Sequence, residues 1–148
     1  MIFLKDGKFF CDVQLRVRYA ETDKMGYVYY GNYLIYYEVA RTEFLRLFGF
    51  SYKQFEDDGY LLPVAKASLN YLKPAKYDDL LKVRIYHKYF HEIKIEYDYE
   101  VYNQDNQLIN TGNTLLIFVD EKTRRPKQGP KYYTQKLKET FDKISKNE

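Results

Sequence analysis

A single carboxylate, that of Asp23, stands in a stretch whose residue types suit acyl transfer. The stretch reads YAETDKMGYVYYGNYLIYYEVARTEFLRLFGF, residues 19–50. Gly26 allows the backbone to bend sharply after Asp23, and a helix start follows Tyr30, seven residues beyond the carboxylate. The first N–H groups of a helix have no partner within it and lie at the positive end of its dipole. A carboxylate facing them could attack a carbonyl or activate a water while those groups hold the oxyanion.

Asp23 also has a plain structural explanation. Aspartate is common in turns, where its side chain accepts hydrogen bonds from the backbone. The spacing between Asp23 and the helix start permits the acyl-transfer geometry without proving it. The sequence alone therefore leaves both interpretations of this residue open.

A long helix is predicted directly after this loop. Asn32 has a side chain suited to the N-cap position, and Gly49 is a residue typical just beyond a helix end. Between them, one face of a 3.6-residue wheel collects Tyr33, Tyr36, Tyr37, Ala40, Phe44, Leu47 and Phe48. Apolar residues cover most of the circumference, so we expect this helix to be mostly buried. Ser51 is predicted to cap a short helical turn after it.

Alternating apolar residues predict strands on both sides of the helix. Before it, residues 11–20 alternate through Val13, Leu15 and Val17. After it, we expect strands in residues 61–72, 80–89, 93–102 and 108–120, with turns at residues 90–92 and 103–107. Residues 121–130 are predicted to form an exposed connection, and residues 131–146 an amphipathic helix.

The predicted order of elements is one strand, one long helix and four consecutive strands. Consecutive strands with short links pair as antiparallel neighbours. One sheet and one nearly buried helix require the sheet to curl around the helix, which places the chain in the α+β class. The edge of such a sheet can pair with a second copy of the chain. We therefore predict a homodimer with a continuous sheet.

The bulk composition fits a single domain that spans residues 1–148, with a core of about residues 10–130 and a helical tail. The net charge of +3 is too small to predict a nucleic-acid partner. Cys11 is the only cysteine, so no disulfide forms within the chain and a reducing compartment is expected. No segment has the apolar length of a signal-peptide core or a transmembrane helix. A cytoplasmic protein is the resulting expectation.

Other catalytic patterns are absent from the sequence. It contains no serine nucleophile elbow, phosphate-binding glycine loop or dinucleotide fingerprint. His87 and His91 are placed on a strand and in the turn after it, so they do not share the helix face that a metal pair would need. We therefore predict no metal site and no cofactor.

Residues 21–46 resemble the signature of the hotdog-fold acyl-CoA thioesterases, in the branch of the 4-hydroxybenzoyl-CoA thioesterases and the YbgC-like proteins. The family pattern is an Asp, two variable residues, a Gly, an apolar pair, an aromatic, a His or Tyr, one residue and then Asn-Tyr. This chain matches it with Asp23, Gly26, Tyr27, Val28, Tyr29, Tyr30, Gly31, Asn32 and Tyr33. The later stretches NYLKPAKYDDLLKV and GNTLLIFVDEKTRRP also resemble the family, so the resemblance covers about residues 10–130.

The resemblance implies a hotdog fold, in which one curled antiparallel sheet wraps a long helix, and hydrolysis of a short-chain or aromatic acyl-CoA to free acid and CoA. It implies that Asp23 is the catalytic carboxylate, as nucleophile or general base, and that the backbone N–H of Tyr30 polarises the thioester carbonyl. The implied substrate-binding residues are Gly31, Asn32 and Tyr33 at the helix start, and Ala67, Ser68, Asn70 and Tyr71 on the flanking strand. Coenzyme A enters as part of the substrate, not as a cofactor.

The family typically places its site at a dimer interface, so the resemblance implies a homodimer or a dimer of dimers. Two other functions are alternatives, and the sequence disfavours the first of them. A hydratase or dehydratase of acyl thioesters would use a histidine paired with an acid, and neither His87 nor His91 lies near the helix start. A non-catalytic or weakly catalytic module that binds acyl carrier protein in a membrane-associated complex is compatible with the basic, tyrosine-rich composition.

Overall fold

Eight strands and three α-helices make up the chain that the computed structural model describes, which is residues 1–147 without the side chains of Tyr89 and Phe90. The strands are β1 (Phe3–Lys5), β2 (Lys8–Arg16), β3 (Tyr60–Leu61), β4 (Val64–Tyr71), β5 (Leu80–His91), β6 (Lys94–Tyr102), β7 (Leu108–Ile117) and β8 (Val119–Asp120). The helices are α1 (Asn32–Leu47), α2 (Tyr52–Asp57) and α3 (Lys131–Lys146). Within residues 1–147 no helix is both long enough and apolar enough to cross a bilayer.

Six strands form one antiparallel sheet in the order β1-β2-β5-β6-β7-β4, and β3 pairs separately with β8. The expectation that consecutive strands are neighbours is wrong for β4 and β5, because β4 pairs with β7 instead. Residues 72–79 therefore carry the chain from one edge of the sheet to its interior. This crossover leaves β4 as an edge strand beside the start of α1.

The sheet covers one face of α1, with β2 and β5 packed against it. The buried residues of the helix are Tyr33, Tyr36, Tyr37, Ala40, Arg41, Phe44 and Leu45. Leu47 was expected on this face but is 47% exposed. In the last turns of the helix, the buried face shifts around the helix axis to the side of Arg41 and Leu45, which leaves Leu47 exposed. Such a shift occurs when a straight helix crosses a twisted sheet. The opposite face of the helix is open to solvent.

Gly49 ends α1 as the sequence predicts. Its φ is +89°, a conformation in which glycine carries no Cβ penalty. The N–H groups of Gly49 and Phe50 donate to the carbonyls of Arg46 and Leu45, each at 2.9 Å, which is the Schellman arrangement. Ser51 also caps α2 as predicted, because its hydroxyl accepts a backbone hydrogen bond from the first turn of that helix.

The N-terminal hairpin is a feature that the sequence patterns do not predict. Asp6 and Gly7 join β1 to β2 with φ values of 51° and 75°, as a type I′ turn requires. The predicted strand over residues 11–20 instead runs from Lys8 to Arg16. Its apolar alternation through Val13 and Leu15 is confirmed, since both are partly buried between exposed polar neighbours.

Three other predicted boundaries are corrected. The predicted strand over residues 61–72 divides into β3 and β4 at Leu62 and Pro63, since proline has no N–H for the ladder. The predicted strand over residues 108–120 divides into β7 and β8 at Phe118. The predicted turn at residues 90–92 starts later, because β5 continues to His91 and pairs there with Lys94.

The alternation predicted for the central strands is confirmed. Leu81, Val83 and Ile85 of β5 and Ile95, Tyr97, Tyr99 and Val101 of β6 are at most 1% exposed. Tyr37 of α1 stacks on Tyr99 with 4.0 Å between ring centroids. Gly112 of β7 leaves room for the Tyr37 hydroxyl, which a Cβ at that position would overlap. The sheet thus lies directly against the helix.

Candidate active site

The loop that carries Asp23 is a tight turn that folds back on itself. The N–H of Asp23 donates to the carbonyl of Tyr27 at 2.8 Å, and the N–H of Gly26 donates to the carbonyl of Asp23 at 3.0 Å. Gly26 has a φ of +81°, so a residue without a side chain is required at this point. The chain returns beside its own path, and Thr22 bridges Val28. Asp23 is therefore held on a fixed backbone.

The two carboxylate oxygens of Asp23 have different surroundings. Its Oδ1 accepts hydrogen bonds from the backbone N–H groups of Met25 at 2.9 Å and Tyr27 at 3.2 Å. No donor within residues 1–147 contacts its Oδ2. The two interpretations of this residue are thus compatible, because one oxygen forms the turn and the other is available for chemistry.

The helix start presents an unused backbone donor. The N–H of Asn32 donates to the carbonyl of Tyr29 at 2.9 Å, so that carbonyl points into the helix. In a trans peptide the C=O and the following N–H point in opposite directions. The N–H of Tyr30 therefore points out of the helix start, and it has no acceptor among the described residues. It lies at the positive end of the dipole of α1.

Asn32 does not cap α1 as predicted. The N-cap is Gly31, with φ −69° and ψ −21°, and no side chain caps the helix. Asn32 is the first helical residue, and its side-chain Nδ2 donates to the carbonyl of Glu21 at 2.8 Å. The amide side chain thus joins the helix to the preceding loop and accepts no hydrogen bond from the backbone N–H groups of the helix start.

Asp23 and Tyr30 line the same cavity, which has a volume of about 320 Å³. Its other lining residues are Met25, Tyr27, Val28, Tyr33, Tyr71, Leu72, Lys73 and Pro74. Most of these side chains are apolar or aromatic, whereas Asp23 supplies the one carboxylate. Asp23 and Tyr30, the residue that carries the free amide of the helix start, therefore border one concave, largely apolar space, as a site for a carbonyl compound requires.

Tyr71, at the end of β4, fixes the other side of the helix start. Its hydroxyl donates to the carbonyl of Tyr30 at 3.0 Å, and its ring contacts that of Tyr33 edge to face, with 5.5 Å between centroids. The bond orients the peptide between Tyr30 and Gly31, so the N–H of Gly31 points away from Tyr71. Tyr33 is buried beneath the cavity.

The other predicted substrate-binding residues of β4 do not lie together with Tyr71. Ser68 and Asn70 lie on the opposite face of the sheet from Tyr71, in a larger cavity of about 510 Å³ that is also lined by Lys5 and Lys8. Ala67 is exposed on the same strand, β4, and lines neither cavity. The larger cavity has no helix start beside it, so we locate the candidate chemistry in the smaller one.

Glu21 has no role predicted from the sequence, but its side chain is only 11% exposed. It accepts hydrogen bonds from Arg18 and from the hydroxyl of Tyr36 on α1. Burial opposes the charged form, but the hydrogen bonds from Arg18 and Tyr36 outweigh it and hold the pKa of Glu21 below its usual value. Glu21 lies two positions before Asp23, the first matched residue of the family pattern, yet no local pattern indicates its contact with Tyr36.

Comparison with known proteins identifies the family of this chain. A family model described as the thioesterase-like superfamily matches residues 17–139. The chain is 36% identical over 115 residues to the putative acyl-CoA thioesterase YneP of Bacillus subtilis, which covers 78% of this chain and 83% of that protein. It is 30% identical over 125 residues to the acyl-CoA thioester hydrolase YbgC of Escherichia coli O157:H7, covering 84% and 93% respectively.

A solved structure extends the agreement to three dimensions. The DHNA-CoA thioesterase from Staphylococcus aureus has a TM-score of 0.83 and 34% sequence identity, and the match covers 92% of this chain and 91% of that one. The fold is therefore the hotdog fold, as predicted, with a carboxylate-bearing turn ahead of its long helix. The chain belongs to the thioesterase-like superfamily. This membership confirms the predicted enzyme class, the thioester hydrolases.

Proposed function

We propose that this chain hydrolyses acyl-CoA thioesters to a free acid and CoA in the cavity that holds Asp23. The observation that carries the proposal is that one cavity is lined by Asp23, whose carboxylate has an available oxygen, and by Tyr30, whose N–H points out of the helix start. The names of the two relatives and of the solved structure support the same reaction. The thioester carbonyl oxygen would face the Tyr30 amide, and its carbon would face Asp23.

Two routes use this geometry, and they differ in the first bond that Asp23 forms. As a nucleophile, its Oδ2 adds to the carbonyl carbon, the C–S bond breaks, CoA leaves as a thiolate, and water then hydrolyses the mixed anhydride. As a general base, it takes a proton from a water whose oxygen adds to the carbon before the C–S bond breaks. In both routes the Tyr30 N–H and the helix dipole stabilise the oxyanion.

The walls of the cavity favour a small or aromatic acyl group. The rings of Tyr27, Tyr30, Tyr33 and Tyr71 all border a volume of about 320 Å³. Aromatic rings pack edge to face on one another, as Tyr33 and Tyr71 already do. We therefore propose a short-chain or aromatic acyl-CoA as the substrate.

The direct test is a steady-state screen of acyl-CoAs that differ in chain length and aromaticity, with release of the CoA thiol as the readout. We expect the highest kcat/KM for short or aromatic acyl groups. The thiol of Cys11 will not disturb the assay, because it is fully buried and burial raises its pKa to about 12. Absence of turnover above background with every acyl group would overturn the proposal.

The carrier is tested by the same acyl group on acyl carrier protein. We expect turnover with CoA as the carrier. Binding of acyl carrier protein without hydrolysis of either thioester would favour the alternative function, a non-catalytic partner of that carrier.

We also propose that two copies of the chain pair along β4. The strand is paired on one side only, with β7, and Val64, Tyr71 and Leu72 at its two ends are 46–54% exposed. An exposed strand edge is a template for another strand. Because Tyr71 contributes to both β4 and the Asp23 cavity, a second copy there would border the site. Sedimentation equilibrium is expected to give twice the 18.0 kDa mass of one chain, and a monomer at micromolar concentration would contradict it.

A further inference from the structure

The carboxylate of Glu21 is fully used by hydrogen bonds. Its Oε1 accepts from the backbone N–H of Arg18 at 2.9 Å and from the hydroxyl of Tyr36 at 3.0 Å. Its Oε2 accepts from Nε and Nη2 of the Arg18 guanidinium at 3.0 and 2.9 Å. A carboxylate offers about four acceptor positions, and all are occupied here. Glu21 is therefore unsuited to act as a second base, in contrast to Asp23.

The backbone of the same residue contacts the helix start from the other side. The carbonyl of Glu21 accepts from the N–H of Tyr29 at 2.9 Å and from Nδ2 of Asn32 at 2.8 Å. Tyr29 directly precedes the donor amide of Tyr30, and Asn32 lies in the first turn of α1. Through Tyr36, the side chain also reaches the second turn. Glu21 thus joins the loop to the residue before Tyr30, to the first turn of α1 and to its second turn.

Only Thr22 separates Glu21 from Asp23, and that link is itself constrained. The Thr22 hydroxyl donates to the carbonyl of Tyr19 at 2.7 Å, and its backbone bridges Val28. The position of Asp23 relative to the Tyr30 amide is therefore set through Glu21, because no freely rotating segment lies between them.

We infer that Glu21 and Tyr36 are positioning residues, which hold the Asp23 turn against the start of α1. In this position the Asp23 carboxylate and the Tyr30 amide can face the same thioester carbonyl. This inference rests on the proposed function. Neither residue lines the cavity, so neither would contact the substrate. They act by fixing the backbone that carries Asp23 and Tyr30. A displacement of about 1 Å at a reacting group can lower a rate by about 100-fold. Loss of the contact should therefore appear in kcat.

The test compares variants that weaken the contact by degrees. Tyr36→Phe removes one hydroxyl and is expected to lower kcat about 10-fold, with KM within about twofold of the wild type. Glu21→Ala removes all the side-chain bonds, and we expect a fall in kcat of about 100-fold. Glu21→Gln keeps an oxygen for the Arg18 N–H and the Tyr36 hydroxyl, so it should recover about 10-fold of that loss.

A double variant and a matched control separate positioning from a general loss of stability. Because Tyr36 acts through Glu21, the double variant Tyr36→Phe/Glu21→Ala should be no slower than Glu21→Ala alone. Tyr102→Phe removes a comparable bond, from the Tyr102 hydroxyl to Oε2 of Glu100 at 2.9 Å. It lies outside the Asp23 cavity, so we expect wild-type kcat and KM.

The outcomes distinguish this inference from the proposed function. If the wild type hydrolyses no acyl-CoA, both fail. If Asp23→Asn abolishes turnover while Tyr36→Phe and Glu21→Ala keep wild-type kcat, only the positioning inference is overturned. It is also overturned if these two variants raise KM and leave kcat unchanged, because the contact would then serve binding.

Discussion

Asp23→Asn is expected to lower kcat by at least about 100-fold, with KM changed by less than about threefold. The amide oxygen of asparagine can still accept the N–H groups of Met25 and Tyr27, so the turn is kept. The negative charge and the basic or nucleophilic oxygen are lost, and both routes proposed above require them. The measurement is steady-state hydrolysis of the best acyl-CoA at a temperature well below the unfolding midpoint.

A second aspartate in a turn provides the matched control. One oxygen of Asp120 accepts from the backbone N–H groups of Lys122 and Thr123 at 2.8 and 2.9 Å, much as Asp23 Oδ1 does. Asp120 lies outside the lining of the Asp23 cavity, so Asp120→Asn should keep wild-type kcat. If Asp23→Asn and Asp23→Ala both hydrolyse the substrate at the wild-type rate, another group carries the reaction.

Local patterns in the sequence were sufficient for the parts of the fold that depend on near neighbours. The apolar alternation of β5 and β6 follows from which face is buried, and residues such as Val83 and Ile95 lie where it placed them. Gly49 and Ser51 mark helix ends through hydrogen bonds that span only a few residues. Each of these signals is contained in a window of about ten residues, which is why a single sequence reveals it.

The pairing of β4 was beyond such patterns. Its partner β7 begins 37 residues after β4 ends, and the alternation of β4 is equally compatible with β5. The same limit explains Asn32, whose residue type favours an N-cap although its side chain here bonds to the Glu21 carbonyl. The competing acceptor lies in the folded-back loop, and its position depends on the 3-10 helix Tyr19–Glu21 and on the Asp23 turn.

The candidate site contains both kinds of feature: residues that a local motif identifies, and contacts between residues far apart in the chain. The resemblance to the thioesterase family assigns roles to Asp23 and Tyr30, seven residues apart, and the two residues line one cavity. Tyr71 joins them across 41 residues through its bond to the Tyr30 carbonyl. Ser68 and Asn70 were grouped with Tyr71 although strand side chains alternate, so Asn70 and Tyr71 must face opposite sides of the sheet. That rule was available from the sequence, whereas the contact between Glu21 and Tyr36 was not.

His87 is buried in an aromatic environment at the other end of the helix. Its ring stacks on Phe44 with 5.8 Å between centroids and meets Tyr97 edge to face at 5.5 Å. Its Nε2 lies 3.0 Å from the hydroxyl of Tyr133 on α3. Burial disfavours the charged imidazolium and lowers the pKa of His87 to about 4. Burial also raises the pKa of Tyr97 and Tyr133, so these neighbours stay neutral as well.

We therefore expect the free energy of unfolding to fall as the pH drops from about 6.5 to about 4. In the unfolded chain His87 takes up a proton near pH 6.5, whereas in the folded chain it stays neutral until about pH 4. The unfolded state binds more protons throughout this window, so stability rises with pH across it, by about 3 kcal/mol in total. Urea unfolding at a series of pH values measures this change.

His87→Phe fills a similar volume and cannot titrate. Between pH 6.5 and 4, the free energy of unfolding of this variant should therefore lack the pH dependence that His87 contributes in the wild type. The same series on His91→Gln, which removes the other and exposed histidine, shows which of the two histidines the slope belongs to. Carboxylates such as Glu21 and Asp120, whose pKa values are lowered, affect stability at more acidic pH and act equally in all three proteins. If the wild type and His87→Phe showed the same pH dependence of stability, His87 would take up its proton at the same pH in the folded and the unfolded chain. An NMR titration of its ring protons in the folded chain would then give a midpoint near 6.5 instead of 4.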